Sequence, residues 1–349
     1  MRIAIATVQV PFVRGGAEAL AGNLGHAIRR LGHDVEVVSA PFRFQPPSEV
    51  ERCMDFWQGF DLGSADGCGG IDAVVCLQFP TYYLCHPRKQ VWLLHQHRAA
   101  YELEPPAVGA GGCLSADDLL LRRRIRHADG RALAACEPIH TIAKTVSARL
   151  FRYNNLFSTP LYHPPPHLGR HYCDDAEPYV LFPSRLVWHK RQDLFVEAMR
   201  RTGSGVAGVL VGDGPLEPGL ERAIESAGLG ERVHLLGRVS DDELMTLYAR
   251  AAAVVFVPFD EDYGYVTLEA MLSAKPVVTC TDSGGPLEFV SDGETGLVCP
   301  PEPAALAAAI DRLAADRALA AELGRRGRER YAELVPSWDV VVRELLAWT

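Results

Sequence analysis

Short apolar runs alternate with amphipathic stretches along almost the whole chain. Residues 3–8 form a run of small and branched side chains, and a loop with Gly15-Gly16-Ala17-Glu18 follows. Leu20, Leu24, Ala27, Ile28 and Leu31 then recur at helical spacing, and Gly32 ends the pattern as a C-terminal cap does. The strand signature returns at 35–38, 71–76, 91–94 and 139–143. Residues 161–178, with Pro164-Pro165-Pro166 inside, break both periodicities and read as an interdomain linker. Beyond it the alternation restarts, with strands at 179–182, 208–211, 233–236, 253–258 and 276–280. Helices are expected between them at 191–200, 217–227, 241–250 and 266–274, and the chain is nearly all helix after Pro303. Strands alternating with helices predict an α/β protein whose mostly parallel sheets are covered on both faces. At 349 residues, two such domains are expected. The stretches 41–70 and 99–115 are poorly patterned.

Charge narrows the function classes. The net charge of −9 argues against a nucleic-acid partner for the whole chain. Residues 1–173 hold 18 Lys+Arg against 15 Asp+Glu, and the remainder holds 17 against 29. Only the first part can therefore carry a basic patch. Its one dense cluster is Arg122, Arg123, Arg124 and Arg126, which reads either as a weak contact with anionic lipid or as a solvated helix face. No apolar run reaches the length of a membrane span, and the N-terminus enters a strand pattern without a signal-peptide layout. The expected location is the cytoplasm, with the inner face of the membrane as the place of any attachment. Nine cysteines without a C-x-x-C pair read as reduced thiols, and no zinc site is expected.

Unusual residues collect where strands end. Ser184-Arg185-Leu186 with Lys190 places two cations after a strand, which suits a diphosphate and equally reads as a surface helix start with solvated cations. Gly212-Asp213-Gly214-Pro215 follows the next strand, where glycines let a ligand approach the backbone. Gly237-Arg238-Val239 follows the third, and Ser240 with Glu243 reads as a capping box. Glu261 and Glu269 bracket a turn, Asp262-Tyr263-Gly264-Tyr265-Val266, that opens a helix. Amides at a helix start favour phosphate oxygens, so the two carboxylates read either as acceptors for neutral hydroxyls of a sugar and a ribose or as a solvent-facing acidic loop before an amphipathic helix. Asp260-Glu261-Asp262 also contains an Asp-x-Asp pattern, but Arg185 and Lys190 already supply positive charge, so no metal is expected. His95 and His97 stand directly after the 91–94 strand, and either reads as a site residue or as a structural one.

Together these loops resemble glycosyltransferase family 4, retaining enzymes of the two-domain GT-B fold. Glu261 to Glu269 looks like the family's E-x7-E signature, continued by Lys275-Pro276-Val277-Val278. Gly284-Gly285-Pro286-Leu287-Glu288 and the loops at 184, 212 and 237 occur in the family's order. The chain departs from the family at Asp262 and Tyr263, where Gly and Phe are usual, at Tyr265, where Leu is, and at Ala274, where Gly is.

The resemblance implies two Rossmann-like domains facing across a cleft, at 1–173 and 174–335. The final helix, 336–349, would cross back onto the first. It implies transfer of a sugar from a nucleoside-diphosphate sugar, UDP- or GDP-linked, to a glycan, lipid-linked or small-molecule acceptor, with retention and without a cofactor or obligatory metal. Arg185 and Lys190 would stabilise the departing diphosphate, Glu261 would hold sugar hydroxyls, Glu269 the ribose, and His95 would contact the donor sugar. Gly15, Gly16, Gly212, Asp213, Gly214, Arg238, Val239, Asp262, Tyr263, Gly264, Tyr265 and Val266 complete the expected donor site. A sugar-nucleotide 2-epimerase of the same fold and a catalytically silent nucleotide-sugar-binding protein are the alternatives. A dinucleotide dehydrogenase is disfavoured, because no G-x-G-x-x-G follows the first strand.

Overall fold

The computed structural model describes residues 1–13, 15–62, 70–102 and 115–347. Parts of the stretches 41–70 and 99–115 thus lie outside the described residues. The chain divides into two compact units. One comprises Met1–Pro166 and Pro336–Thr349, the other His167–Val335.

The first unit runs β1 (Arg2–Gln9), α1 (Gly16–Arg30), β2 (Asp34–Pro41), α2 (Pro47–Gly59), β3 (Ala73–Cys76), β4 (Lys89–Leu93), α3 (Ala116–Ala134), β5 (Ile139–Thr141), α4 (Lys144–Asn154) and β6 (Thr159–Pro160). All its strand pairs are parallel, in the order β2-β1-β3-β4-β5-β6. Strand β1 is buried on both faces from Ile3 to Val8, which is why it reads as a continuous apolar run. The poorly patterned stretch after residue 41 contains a helix after all. Pro47 opens α2, and Val50, Cys53, Met54 and Trp57 form its buried stripe.

The second unit runs β7 (Tyr179–Pro183), α5 (Gln192–Met199), β8 (Ala207–Val211), α6 (Glu217–Ser226), β9 (Val233–Leu235), α7 (Asp241–Arg250), β10 (Ala253–Val255), α8 (Tyr265–Leu272), β11 (Val277–Cys280), β12 (Gly296–Cys299), α9 (Pro303–Ala315) and α10 (Arg317–Leu334). Its sheet, also parallel, has the order β12-β11-β10-β7-β8-β9. Numbered from β7 this is the 3-2-1-4-5-6 order of dinucleotide-binding sheets. Its crevice lies beyond the carboxyl ends of β7 and β10, where the winding reverses. One apolar core joins Phe182, Phe195, Phe256 and Leu210 to Leu306 and Ile310 of α9.

The last helix, α11 (Trp338–Leu346), belongs to the first unit. Val341, Val342 and Leu345 are buried there, and Arg30 of α1 pairs with Asp339. Trp338 lies 6.3 Å from the Trp92 ring and 5.7 Å from that of His163. The boundary at Pro166 precedes the one drawn from the sequence, and residues 167–173 go with the second unit. Physical ties explain this: Arg170 pairs with Asp242 at 2.5 Å, the Tyr172 hydroxyl lies 3.3 Å from that of Thr246, and His171 Nδ1 lies 3.2 Å from Ser273 Oγ.

Candidate functional site

In the second unit, backbone hydrogen bonds stitch the strand-end loops into one platform. Ser184 N–H donates to Val211 O at 2.9 Å, Leu186 N–H to Asp213 O at 2.8 Å, and Gly212 N–H to Gly237 O at 2.8 Å. The approach is too close for side chains. A Cβ on Gly212 would lie 2.0 Å from Ser184 O, and one on Gly214 2.4 Å from Leu186 O. These glycines therefore serve first to let the protein's own loops meet, and only through that to shape the edge. Arg185 stands exposed on this platform. Gln192 pins its loop from below, donating to Ser184 Oγ at 2.8 Å and to Arg185 O at 2.7 Å. Asp213 and Arg238 are exposed neighbours, 3.9 Å apart, and Val239 is half-buried. Ser240 caps α7 by accepting from Glu243 N–H at 3.3 Å.

The loop after β10 continues almost as a strand. Phe259 N–H donates to His189 O at 2.7 Å, Glu261 N–H to Ser283 O at 2.9 Å, and Gly285 N–H to Glu261 O at 2.8 Å. This brings Lys190 Nζ to 2.5 Å from Glu261 Oε2, with both side chains about five-sixths buried (15% and 17% exposed). The ammonium also lies 5.2 Å from the Phe256 ring centre. Arg191 adopts a left-handed conformation, φ 60°, and clamps Asp282 through two hydrogen bonds of 2.8 and 2.5 Å. That fork fixes the turn carrying Lys190. Sequence reading missed Arg191, Gln192 and Asp282; the only signal was their position beside Lys190 and before Gly284-Gly285.

Gly264, φ 86°, precedes α8, so the amides of Tyr265 and Val266 open the helix as expected. Tyr263 differs from expectation. Its side chain is 4% exposed and its ring meets Tyr265 at 5.6 Å and Phe289 at 5.5 Å. It is a core side chain, and only its backbone is left to serve a ligand. Asp262 and Val266 are half-buried. Glu269 is more enclosed than an exposed hydroxyl clamp would be. It is 9% exposed, burial pushes its carboxyl up to about 7, and its Oε2 accepts from the Tyr248 hydroxyl at 2.6 Å. Tyr248 gave no sign in the sequence beyond an apolar position of α7.

The first unit holds the remaining candidates. Gly15 caps α1, and its N–H donates to the Glu18 carboxylate at 2.8 Å. An anion at that amide would displace Glu18. The two histidines after β4 differ. His97 is buried against Phe79, 5.1 Å between rings, near Phe42 and Phe44, and burial lowers it to about 4, so it is neutral at pH 7. His95 is half-buried and lines a small cavity with Gln96, Glu102, Val146 and Arg149. Of the two, His95 is the one open to a ligand. Its loop is braced by Asp129, fully buried, which accepts from Gln96 at 2.8 Å and from Tyr82, Tyr83 and Tyr101 at 2.9, 2.6 and 2.8 Å.

The basic cluster is partly committed to the protein. Arg124 pairs with Glu51 at 3.0 Å and Asp55 at 2.5 Å, and Arg126 donates to Ala100 O at 2.8 Å. No helix among the described residues is long and apolar enough to cross a membrane. Among the described residues no three His, Cys, Asp or Glu side chains group as metal ligands would.

Comparison with known proteins separates the two units. Residues 170–330 match the family described as glycosyl transferases group 1. A GDP-mannose-dependent alpha-(1-6)-phosphatidylinositol monomannoside mannosyltransferase of Mycobacterium tuberculosis is 34% identical over 190 residues, 51% of this chain and 49% of that protein. The chain spans less than half the length of the curated relatives it matches. Sucrose-phosphate synthase from Thermosynechococcus elongatus superposes with a TM-score of 0.78 at 19% identity, covering 100% of both chains. Anabaena HepE, solved in complex with UDP-glucose, superposes with a TM-score of 0.70 at 17% identity, covering 100% of this chain and 99% of that one. The fold is thus GT-B, two Rossmann-like sheets with the last helix returned to the first. The unit His167–Val335 resembles the glycosyl transferases group 1 domain along nearly its whole length.

Proposed function

We propose that the chain is a retaining, metal-independent glycosyltransferase. It moves a sugar from a nucleoside-diphosphate sugar, UDP- or GDP-linked, to a hydroxyl of a glycan, lipid-linked or small-molecule acceptor. The observation that carries this reading is the Lys190–Glu261 pair at the switch point of the second sheet. Two opposite charges there, enclosed and 2.5 Å apart, hold each other in place. When a diphosphate arrives, Lys190 turns to it together with Arg185, and Glu261 is released to accept sugar hydroxyls. The positive charge then stabilises the diphosphate as its bond to the sugar breaks, where most of the new charge develops. Glu269 takes the ribose. The match of 170–330 to the glycosyl transferases group 1 supports the same chemistry.

The test is a thermal-shift screen of UDP-, GDP-, ADP- and dTDP-sugars, followed by assay of diphosphate release with a panel of acceptors. A donor stabilises in proportion to its affinity. Release is expected with one donor and to be lost in Lys190→Ala. Unchanged release in that variant would remove the site assignment. A rearranged sugar formed without any acceptor would favour the epimerase.

A further inference from the structure

We propose that Tyr248 is the positioning residue of Glu269: its hydroxyl holds the carboxylate in the orientation and charge state that accept the ribose hydroxyls of the donor. The inference rests on the reading of Glu269 given above and adds to it a residue of another helix.

Tyr248 comes from α7 and Glu269 from the second turn of α8. The phenol is wholly buried and donates to Oε2 at 2.6 Å, a short charge-assisted bond. The ring cannot drift, because the His171 ring packs edge-on at 6.0 Å. His171 in turn reaches Ser273 Oγ at 3.2 Å, and Ser273 N–H donates to Glu269 O at 3.0 Å. Tyr248 alone among these meets the carboxylate, and His171 and Ser273 form a frame that steadies its ring.

That frame has no packing rationale of its own. A phenylalanine would fill the same space, and an apolar partner for it would avoid enclosing a carboxylate altogether. What the hydroxyl adds is stabilisation of the ionised form. Among the described residues, the charged and titratable groups facing Glu269 come from α7 and α8, with the His171 ring behind Tyr248. Tyr248 of α7 favours ionisation, and Asp241 at the start of α7 opposes it. Tyr265 of α8 faces it with a phenol that burial, chiefly, pushes well up and keeps protonated. Asp241 is itself offset by Arg170 at 3.8 Å, and the His167 ring lies 3.6 Å from it. Burial leaves Glu269 at about 7, so its charge is poised where a single hydrogen bond decides it. A ribose brings two vicinal donors and needs the ionised acceptor. With Oε2 held by Tyr248, the carboxylate keeps Oε1 and one lone pair of Oε2 for them.

The test measures affinity for UDP and GDP by calorimetry between pH 5.5 and 8.5 in the wild type, Tyr248→Phe and Glu269→Gln. Inorganic pyrophosphate, which has no ribose, is the control ligand. The nucleotide's terminal phosphate titrates near pH 6 in any case, and Glu269→Gln reports that contribution alone. In the wild type, affinity is expected to fall as pH drops through about 7. In Tyr248→Phe it should be about tenfold weaker at pH 7, with the midpoint moved to higher pH and recovery toward pH 8.5. Pyrophosphate binding should be unchanged in both variants. A Tyr248→Phe curve that overlays the wild type, or is weaker by one factor at every pH, overturns the proposal. The second result would mark a packing defect only. If Glu269→Gln binds as the wild type does, or no nucleotide binds the wild type, the site reading beneath the proposal falls with it. A Tyr248 effect on pyrophosphate would refute the proposal while leaving that reading intact.

Discussion

Glu269→Gln should stabilise the protein at alkaline pH while removing donor binding. The carboxyl is 9% exposed and is raised from the usual 4.5 to about 7 by burial. The folded protein therefore holds this proton more tightly than the unfolded chain. Its contribution is fully present below about pH 4.5 and is lost as pH rises to about 7. At about 1.4 kcal/mol per pH unit the loss is about 3 kcal/mol, constant above pH 7. Glutamine keeps the size of the side chain and an oxygen for the Tyr248 hydroxyl. Its amide N–H groups bring a cost of their own, but that cost does not change with pH and cancels in the comparison. The depressed histidines, His97 near 4 and His163 near 3, titrate alike in both proteins. Thermal unfolding from pH 5 to 8.5 is the assay. For a domain of this size about 1 kcal/mol moves Tm by roughly 2–4 °C. Between pH 5 and 8 about 2.5 kcal/mol of this is lost, so the melting temperature of the variant minus that of the wild type should grow by roughly 5–10 °C. Parallel curves would show that Glu269 ionises in the folded protein as freely as in water, and the argument for a strained donor-binding carboxylate would fail. A stabilised but inactive variant is the signature of a group kept for function against stability.

Two further substitutions follow from the backbone. Gly212→Ala would force a Cβ to 2.0 Å from Ser184 O and open the platform under Arg185; overpacking of this kind costs about 1–3 kcal/mol, and loss of nucleotide affinity by calorimetry should accompany a lower Tm. Ala274 sits at φ 49°, a left-handed position where the resembling family has glycine; Ala274→Gly should therefore raise stability by about 0.5–1 kcal/mol in urea unfolding without changing nucleotide affinity.

Much of this architecture was legible because each strand is a buried run and each loop carries its glycine or proline. Residues 3–8 and 179–182 could hardly be anything but interior strands. The strand order was not legible, since nothing local says that β10 lies beside β7 rather than beside β9. Lys190 and Glu261 were both singled out as site residues, yet their meeting depends on that order. The Pro-rich stretch 161–178 marked the join, but the boundary itself depends on Arg170, His171 and Tyr172 finding partners far along the chain. Tyr263 looked like a ligand residue because it stands in the motif, and its burial against Phe289 is set by packing that a one-dimensional pattern does not carry. Tyr248 and Asp129 were invisible for the converse reason. A tyrosine among apolar positions reads as core, and an aspartate on a basic helix reads as surface, until the fold encloses both with their partners.

In the proposed reading, the carboxyl edge of the second sheet binds a nucleoside diphosphate through Lys190. Calorimetric titration of the wild type and Lys190→Ala with UDP and GDP addresses it directly. Loss of a charge-assisted hydrogen bond to the diphosphate is worth about 1.5–3 kcal/mol, so the variant should bind more than tenfold more weakly at constant pH and salt. Equal affinity in the two proteins, or no binding of either nucleotide by the wild type, would contradict the account.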